Sequence, residues 1–482
     1  MKLKLFIGYV SQIATAIVQF ITIPMYIKYF GVDSYGLIGL LATIGSMIIV
    51  FDFGFIQVLS KNIPKNILEN KVIAGIDFRK VEIILYFLAF ILAAVMIIYA
   101  NLFSEKLLDG YPLRVENWFE LSIVISALGV LKLFDLLYAS TLVALESQIF
   151  VNTTNLIASI AKGPILLTLI HGLNRTFYDY LIYLLILSLL FLFGFRFFIS
   201  IKLIVPWTVK FQKYKFRRNE LALGLFSVSA ISVLSNQIDK LTLLTYATLS
   251  DYGVYMTAAS AATIIYFLVT PISQIFTPKL NGNTQNSKNF KIIFIRVSIL
   301  VAKIIGCATA LVIFYSYELI MIWTKNIELS AQVAPILTIL IIGNALTALC
   351  WMPFYAQIAS GGYRSSIYIN LISLLIAILL MPISIKNYGV IGAGYIWVVI
   401  SAIHFFIGIY FIKIDIYKFD YKRWILIYNI KPILFINLFV LIYRWIMDKI
   451  NPAFQTINLI ILAGILFIFI LASYKKSKCS HI

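Results

Sequence analysis

The chain has 482 residues, of which 62% are hydrophobic and only 12% charged, with a formal charge of +19. Soluble domains carry about 25% charged residues, so this composition cannot cover a water-facing surface. A strongly basic soluble chain would suggest nucleic-acid binding; here the Lys and Arg fall mainly in short loops between apolar runs, where they set topology and face anionic lipid, and no nucleic-acid partner is expected.

Met1-Lys2-Leu3-Lys4 opens onto an apolar run without a small-residue cleavage site, which predicts an uncleaved first span rather than a signal peptide. Runs of about 20 apolar residues, enough to cross a bilayer, then recur along the chain. Fourteen spans are predicted, beginning with Phe6 to Ile27, Gly36 to Ser60, Val81 to Phe103, Trp118 to Leu145, Phe150 to Ile170, Tyr180 to Val205 and Leu221 to Tyr246. The rest are Tyr252 to Phe276, Ile292 to Tyr317, Val333 to Ile358, Ile367 to Ile385, Val390 to Ile412, Ile425 to Tyr443 and Phe454 to Ser473. Their length and unbroken apolarity lack the alternation of barrel strands, so helices are expected.

With the N-terminus in the cytoplasm, cytoplasmic segments hold 24 Lys and Arg and external loops hold 8. The largest cytoplasmic groups lie in Lys61 to Lys80 and in Lys202 to Arg218. This bias predicts cytoplasmic termini and an even number of spans. A weak internal repeat adds domain structure. Tyr35-Gly36-Leu37 and Tyr252-Gly253-Val254 are offset by 217 positions, as are Gln57 and Gln274; Asn155-Leu156-Ile157 and Asn370-Leu371-Ile372 are offset by 215. Six spans per half give both halves the same orientation, with a substrate path expected between them. The expected domains are residues 1–205, a basic cytoplasmic linker 206–220, residues 221–412, and two extra helices within 425–473.

Charges inside spans are costly, roughly 2.5–3.5 kcal/mol each on insertion scales. Lys132, Lys162, Arg196, Lys240, Arg296, Lys303 and Lys431 are the basic residues in or near spans. Asp239 and Lys240 are neighbours in the seventh span and point about 100° apart, so at least one needs a partner on another helix or water. They are either a structural ion pair or cavity residues that bind substrate or couple an ion. Lys132 and Asp135 are three apart and can neutralise each other on one helix face. Asp52, in Phe51-Asp52-Phe53-Gly54, can answer a buried lysine or carry a proton. Lys162 precedes Gly163-Pro164, a kink signal. Lys162 and Lys303 fall near mid-membrane by position, whereas Arg196 and Arg296 lie nearer the cytoplasmic side and can snorkel. Pro24, Pro164, Pro271, Pro335 and Pro353 interrupt spans.

No phosphate-binding P-loop is present, and no Ser/His/Asp set is apparent; His171, His404 and His481 are scattered. Cys307, Cys350 and Cys479 have no metal-ligand spacing. Neither enzymatic activity nor a metal or cofactor is expected.

The run Pro24-Met25-Tyr26 and Phe30-Gly31-Val32-Asp33-Ser34-Tyr35-Gly36-Leu37, with Phe51-Asp52-Phe53-Gly54, resembles the opening of Wzx-type polysaccharide flippases. Gln237-Ile238-Asp239-Lys240, Asp251-Tyr252-Gly253-Val254-Tyr255, Pro271-Ile272-Ser273-Gln274 and Pro278-Lys279-Leu280 are similar to that family's second-half signature. Ile322-Trp323-Thr324 and Ala334-Pro335-Ile336-Leu337 resemble a further recurrent patch. The resemblance spans residues 1 to about 410. It implies the multidrug/oligosaccharidyl-lipid/polysaccharide exporter superfamily: an all-α polytopic membrane protein with two six-helix bundles around a central cavity, here with two extra C-terminal helices. It further implies a bacterial inner-membrane flippase for undecaprenyl-diphosphate-linked repeat units of O-antigen or of capsular or exopolysaccharide. Its partners would be the lipid-linked oligosaccharide, membrane lipids, a polysaccharide polymerase and chain-length machinery. Asp239, Lys240, Asp52, Lys132, Asp135, Lys162, Lys303 and Arg196 are the cavity candidates for substrate binding or coupling. A lipid II flippase and a drug/cation antiporter share the expected fold; the antiporter's cavity should favour carboxylates.

Overall fold

A computed structural model of the chain describes residues 2–102, 118–206, 220–270, 272, 287–359, 364–415, 420–450, 458–466 and 468–469. Among them every regular element is a helix. Most of the predicted linker 206–220, the segment carrying Pro271 and Gln274, and both ends of the last predicted span lie outside the described residues. The chain divides into two compact units, Met1–Gly253 and Val254–Ile482.

The first unit opens with α1, Lys2–Ile48, which contains both the end of the first predicted span and the start of the second. Only Gly31 breaks it, at φ 84 and ψ 171, a region open essentially to glycine. Pro24 sits inside it without ending it. The second predicted span is not one helix. After Ile48 a 3₁₀ turn, Ile49–Asp52, leads through left-handed Phe53 and Gly54 into α2, Phe55–Glu69. Then follow α3, Lys71–Leu102, and α4, Trp118–Ala144. Next, α5, Gln148–Ile160, runs through a π-helical turn, Ala161–Ile165, into α6, Leu166–Gly172. The predicted kink is present there: Gly163 departs from helical geometry at φ −90, ψ −106, just before Pro164. A capping box between Thr176 and Asp179 starts α7, Phe177–Lys202. The last helices of the unit are α8, Glu220–Tyr246, and the start of α9, Leu249–Ala262.

Within this unit α3 packs on α2 and α4, α4 on α7, and α1 on α4, α5 and α8. Ile63, Phe78, Leu85, Leu137, Phe195 and Ile199 fill one core, and Leu37, Leu121, Leu167 and Tyr180 belong to a second. The two glycines that the repeat aligns lie against each other. A Cβ on Gly36 would come 2.7 Å from the Leu249 carbonyl oxygen and 3.3 Å from the Gly253 nitrogen, and one on Gly253 would strike the Val32 carbonyl. Small residues here let two backbones approach closely.

The second unit holds α10, Ser287–Thr324; α11, Ile327–Ala359; α12, Arg364–Tyr388; and α13, Val390–Asp415. A π-helical segment, Trp424–Ile430, leads into α14, Lys431–Ile450, and residues 458–466 form a further helix. Pro335 and Pro353 lie inside α11. Here α11 packs on α10 and α13, α12 on α13, and α10 on α14.

Eleven helices among the described residues are long and apolar enough to cross a membrane. The first, Val10–Asp52, takes in most of two predicted spans. The 27-residue α8 matches a further one, and 458–466 falls in the last.

Candidate functional site

The middle of α4 places two charges where a bilayer would be driest. Lys132 and Asp135 lie near the centre of the apolar stretch Phe119–Ala144 and form an i,i+3 pair at 3.8 Å. Their side chains keep 57% and 43% of their exposure. A charge on a span avoids hydrocarbon and faces a polar path or the protein interior. The stem of Lys132 lies across Gly45 of α1, where a Cβ would come 3.1 Å from its Cγ. The π-helical turn contributes a second cation: Lys162 is within Coulombic reach of both Lys132 and Asp135, and its Nζ lies 5.4 Å above the Phe191 ring of α7. Close packing holds that turn, since a Cβ on Gly163 would meet the Thr22 Oγ1 of α1 at 2.8 Å. The structure therefore pairs Lys132 with Asp135 and sets Lys162 within Coulombic reach of both.

Asp239 and Lys240 form a separate pair on α8. Their Cβ atoms diverge, yet the lysine's four-carbon stem returns its Nζ to both Asp239 oxygens, at 3.0 and 3.1 Å, and to the Asn236 carbonyl at 3.1 Å. Asp239 is buried and within Coulombic reach of Tyr252, whose hydroxyl shares a 2.9 Å hydrogen bond with that of Thr43. Thr43 and Gly45 are two residues apart and so project from nearly opposite faces of α1. The two charge clusters thus flank one helical segment from different sides.

The other candidates are placed elsewhere. Asp52 is buried and caps α2, accepting from the Gly54 amide at 2.9 Å and the Ile56 amide at 3.4 Å; among the described residues no lysine pairs with it. Arg196 turns inward: its Nε donates to Glu82 Oε1 at 2.6 Å and its Nη2 to Oε2 at 3.4 Å, with the guanidinium 5.2 Å above the Phe78 ring. Lys303 belongs to the second unit, 5.5 Å above the Phe469 ring.

Glu82 was missed by sequence reasoning because it sits at the polar edge of the third apolar run. It is fully buried and also accepts from Arg79 at 2.6 Å and from the Tyr138 hydroxyl at 2.9 Å. The i,i+3 spacing of Arg79 and Glu82 is the signal that marks it. A second unanticipated knot ties α10 to α14: Arg444 reaches Glu318 at 3.1 Å and Asp448 at 3.5 Å, and lies 4.8 Å above the Tyr315 ring. No group of three metal-ligating side chains occurs among the described residues.

No family model and no curated protein matches the sequence. Solved structures do share its fold. A structure of the lipid II flippase MurJ in an inward closed conformation aligns with a TM-score of 0.72 at 16% identity, covering 98% of this chain and 100% of that one. An inward-facing multidrug resistance MATE family transporter of the MOP superfamily aligns at 0.64 and 13% identity, over 83% of this chain and 95% of its own. An outward-facing structure of that family aligns at 0.51 and 14%, over 85% and 96%. The chain has the all-α, polytopic membrane fold seen in MurJ and MATE transporters.

Proposed function

We propose that this chain is a flippase carrying undecaprenyl-diphosphate-linked oligosaccharide repeat units from the cytoplasmic to the outer leaflet of a bacterial inner membrane by alternating access. The observation that carries the reading is the mid-span cluster of Lys132, Lys162 and Asp135. Two ammonium groups near one carboxylate leave a net positive charge at mid-span. An anionic group passing through relieves that repulsion, and a diphosphate offers several acceptor oxygens to lysine donors. A lipid-linked sugar needs such compensation only at its diphosphate; its isoprenoid chain can remain in lipid while the sugars stay in water. The sequence motifs of the Wzx-type flippases favour this substrate class. The 24-to-8 loop bias favours cytoplasmic termini.

In this reading Lys132 and Lys162 meet the diphosphate and Asp135 sets their spacing. Asp239–Lys240 is a neutralised pair beside the path, available to couple or gate, and Arg196 and Asp52 act as supports. Once outside, the repeat unit passes to a polymerase and chain-length machinery. Transport of this kind makes and breaks no covalent bond.

Lipid II transport is the second reading, favoured by the 98% and 100% coverage shared with MurJ. Its cargo carries the same diphosphate, so the cluster serves both.

The test is reconstitution of wild-type protein and the Lys132→Ala/Lys162→Ala variant in liposomes with a fluorescent isoprenyl-diphosphate oligosaccharide. Loss of wild-type quenching kinetics by an impermeant reductant in the double variant, at equal reconstituted amount, is expected. Equal rates for both proteins would overturn the assignment of the cluster.

A further inference from the structure

The turn that carries Lys162 is held by tyrosines from two other helices. In an α-helix the Lys162 carbonyl would accept from the Leu166 amide. The π-helical turn Ala161–Ile165 sends that amide to the Ala161 and Gly163 carbonyls instead, and Pro164 has no amide to offer. The Tyr180 phenol, near the start of α7, donates to the displaced Lys162 carbonyl at 3.2 Å. A phenol has one proton to give. In the hydrogen bond that Tyr180 shares with Tyr26 of α1, the donor is therefore Tyr26. A relay of two hydroxyls thus runs from α1 through α7 to the backbone of Lys162.

Apolar packing fixes the relay in place. Tyr180 is fully buried, its ring edge-on to Tyr26 at 5.5 Å, tilted against Phe30 at 5.7 Å and stacked on Phe177 at 6.0 Å. Thr22, Tyr26 and Phe30 follow at i, i+4 and i+8 and share one face of α1. Thr22 is also the residue against which Gly163 closes. One face of α1 therefore meets the turn twice, by packing at Thr22 and through the hydroxyls at Tyr26.

Lys162 depends on such an anchor. Its Nζ ends a flexible four-carbon stem, so its reach follows from where the backbone sets its Cα. Asp135 attracts the ammonium, but Lys132 lies within Coulombic reach and repels it. A turn free to yield would let that repulsion separate the two cations; the bond to Tyr180 opposes it.

We infer that Tyr180, backed by Tyr26, is a positioning residue for transport: its hydroxyl fixes the turn so that Lys162 and Lys132 meet the cargo's diphosphate together. Tyr180 is sealed in the core, so its action runs through Lys162. The inference rests on the role proposed above for the lysine cluster. A purely structural tyrosine would support the fold whatever side chain stood at position 162. A positioning tyrosine matters to transport only while the ammonium is there.

The test is a double-variant cycle on full-length protein in liposomes, with the fluorescent isoprenyl-diphosphate oligosaccharide at low mole fraction and equal reconstituted amounts. Tyr180→Phe deletes the hydroxyl and keeps the ring. It should slow transbilayer movement roughly two- to tenfold, the worth of one hydrogen bond. Lys162→Ala should slow it at least as much, and Lys162→Ala/Tyr180→Phe should move cargo at the rate of Lys162→Ala alone. Where Tyr180→Phe does not fold, Tyr26→Phe leaves the Lys162 carbonyl bonded and loosens the relay. It should give a loss of about twofold, again absent when Lys162 is removed. Tyr180→Phe at the wild-type rate, or the same fold-loss with and without the Lys162 side chain, would overturn the inference and leave the assignment of the cluster standing. Lys162→Ala at the wild-type rate would overturn both.

Discussion

Glu82→Ala removes the acceptor shared by Arg79, Arg196 and Tyr138. The carboxylate is fully buried, takes a 2.6 Å bond from each guanidinium and adds a 2.9 Å bond from the phenol. Removing one partner of a buried ion pair costs about 3–5 kcal/mol, because the remaining charge stays desolvated. Two factors act in opposite directions here. Two cations are stranded rather than one, yet their side chains retain 22% and 25% exposure and so are not sealed in the core. The loss should therefore fall at about 3 kcal/mol, the lower end of that range. Glu82→Gln preserves shape and one acceptor oxygen, and should lose about 1.5–3 kcal/mol, the worth of a hydrogen bond to a charged group. Pairing Glu82→Ala with Arg196→Ala should fall short of additivity by about 1 kcal/mol or more, since the two share one interaction. Denaturant unfolding of the detergent-solubilised protein at fixed micelle concentration measures all four. A Glu82→Ala protein within about 0.5 kcal/mol of wild type, the range of ordinary surface changes, would refute the reasoning, as would full additivity.

Gly31→Ala should destabilise by about 1–3 kcal/mol through backbone strain alone, because nothing lies within 4 Å of the added Cβ. Gly194→Ala, equally unobstructed but with no positive φ, should leave unfolding unchanged or slightly later. Gly36→Val should cost about 1–3 kcal/mol by overpacking against the Leu249 carbonyl, read as a lower yield of folded protein. Asp52→Ala should lose about 1 kcal/mol of capping while Asp52→Asn keeps most of it, measured by the same unfolding curves. With cytoplasmic termini, a Lys213→Cys probe in a cysteine-free background should resist impermeant maleimide in intact cells; strong labelling would invert the topology.

Much of the architecture is legible because the bilayer demands it. An unpaired backbone cannot sit in hydrocarbon, so long apolar runs have little alternative to helices, and their positions follow from hydropathy. What hydropathy cannot register is a turn made from apolar residues. Ile49, Val50, Phe51 and Phe53 read as the interior of a span, yet Asp52 and Gly54 there form a cap and a left-handed turn that begin a new helix. The Asp-x-Gly pattern is a turn signal, masked because an acid inside an apolar run reads first as an intramembrane charge.

The candidate site was partly legible for a similar reason. Cost arguments select Lys132, Asp135 and Lys162 individually, but their meeting depends on the Gly163-Pro164 turn and on the glycine at position 45 over which Lys132 lies. The same arguments list Arg196 without its partner, since Glu82 is 114 residues away in sequence. Asp239 and Lys240 pair through a side-chain conformation that helical spacing alone does not specify.

The most direct measurement of the central claim is cargo selection by wild-type protein in proteoliposomes. Three labelled candidates are offered separately: an undecaprenyl-diphosphate oligosaccharide without peptide, lipid II, and an organic cation under an imposed proton or sodium gradient. The account predicts protein-dependent transbilayer movement of the peptide-free oligosaccharide lipid, accelerated well beyond empty liposomes. Movement of the organic cation alone, with both lipid-linked sugars at the rate of empty liposomes, would contradict it.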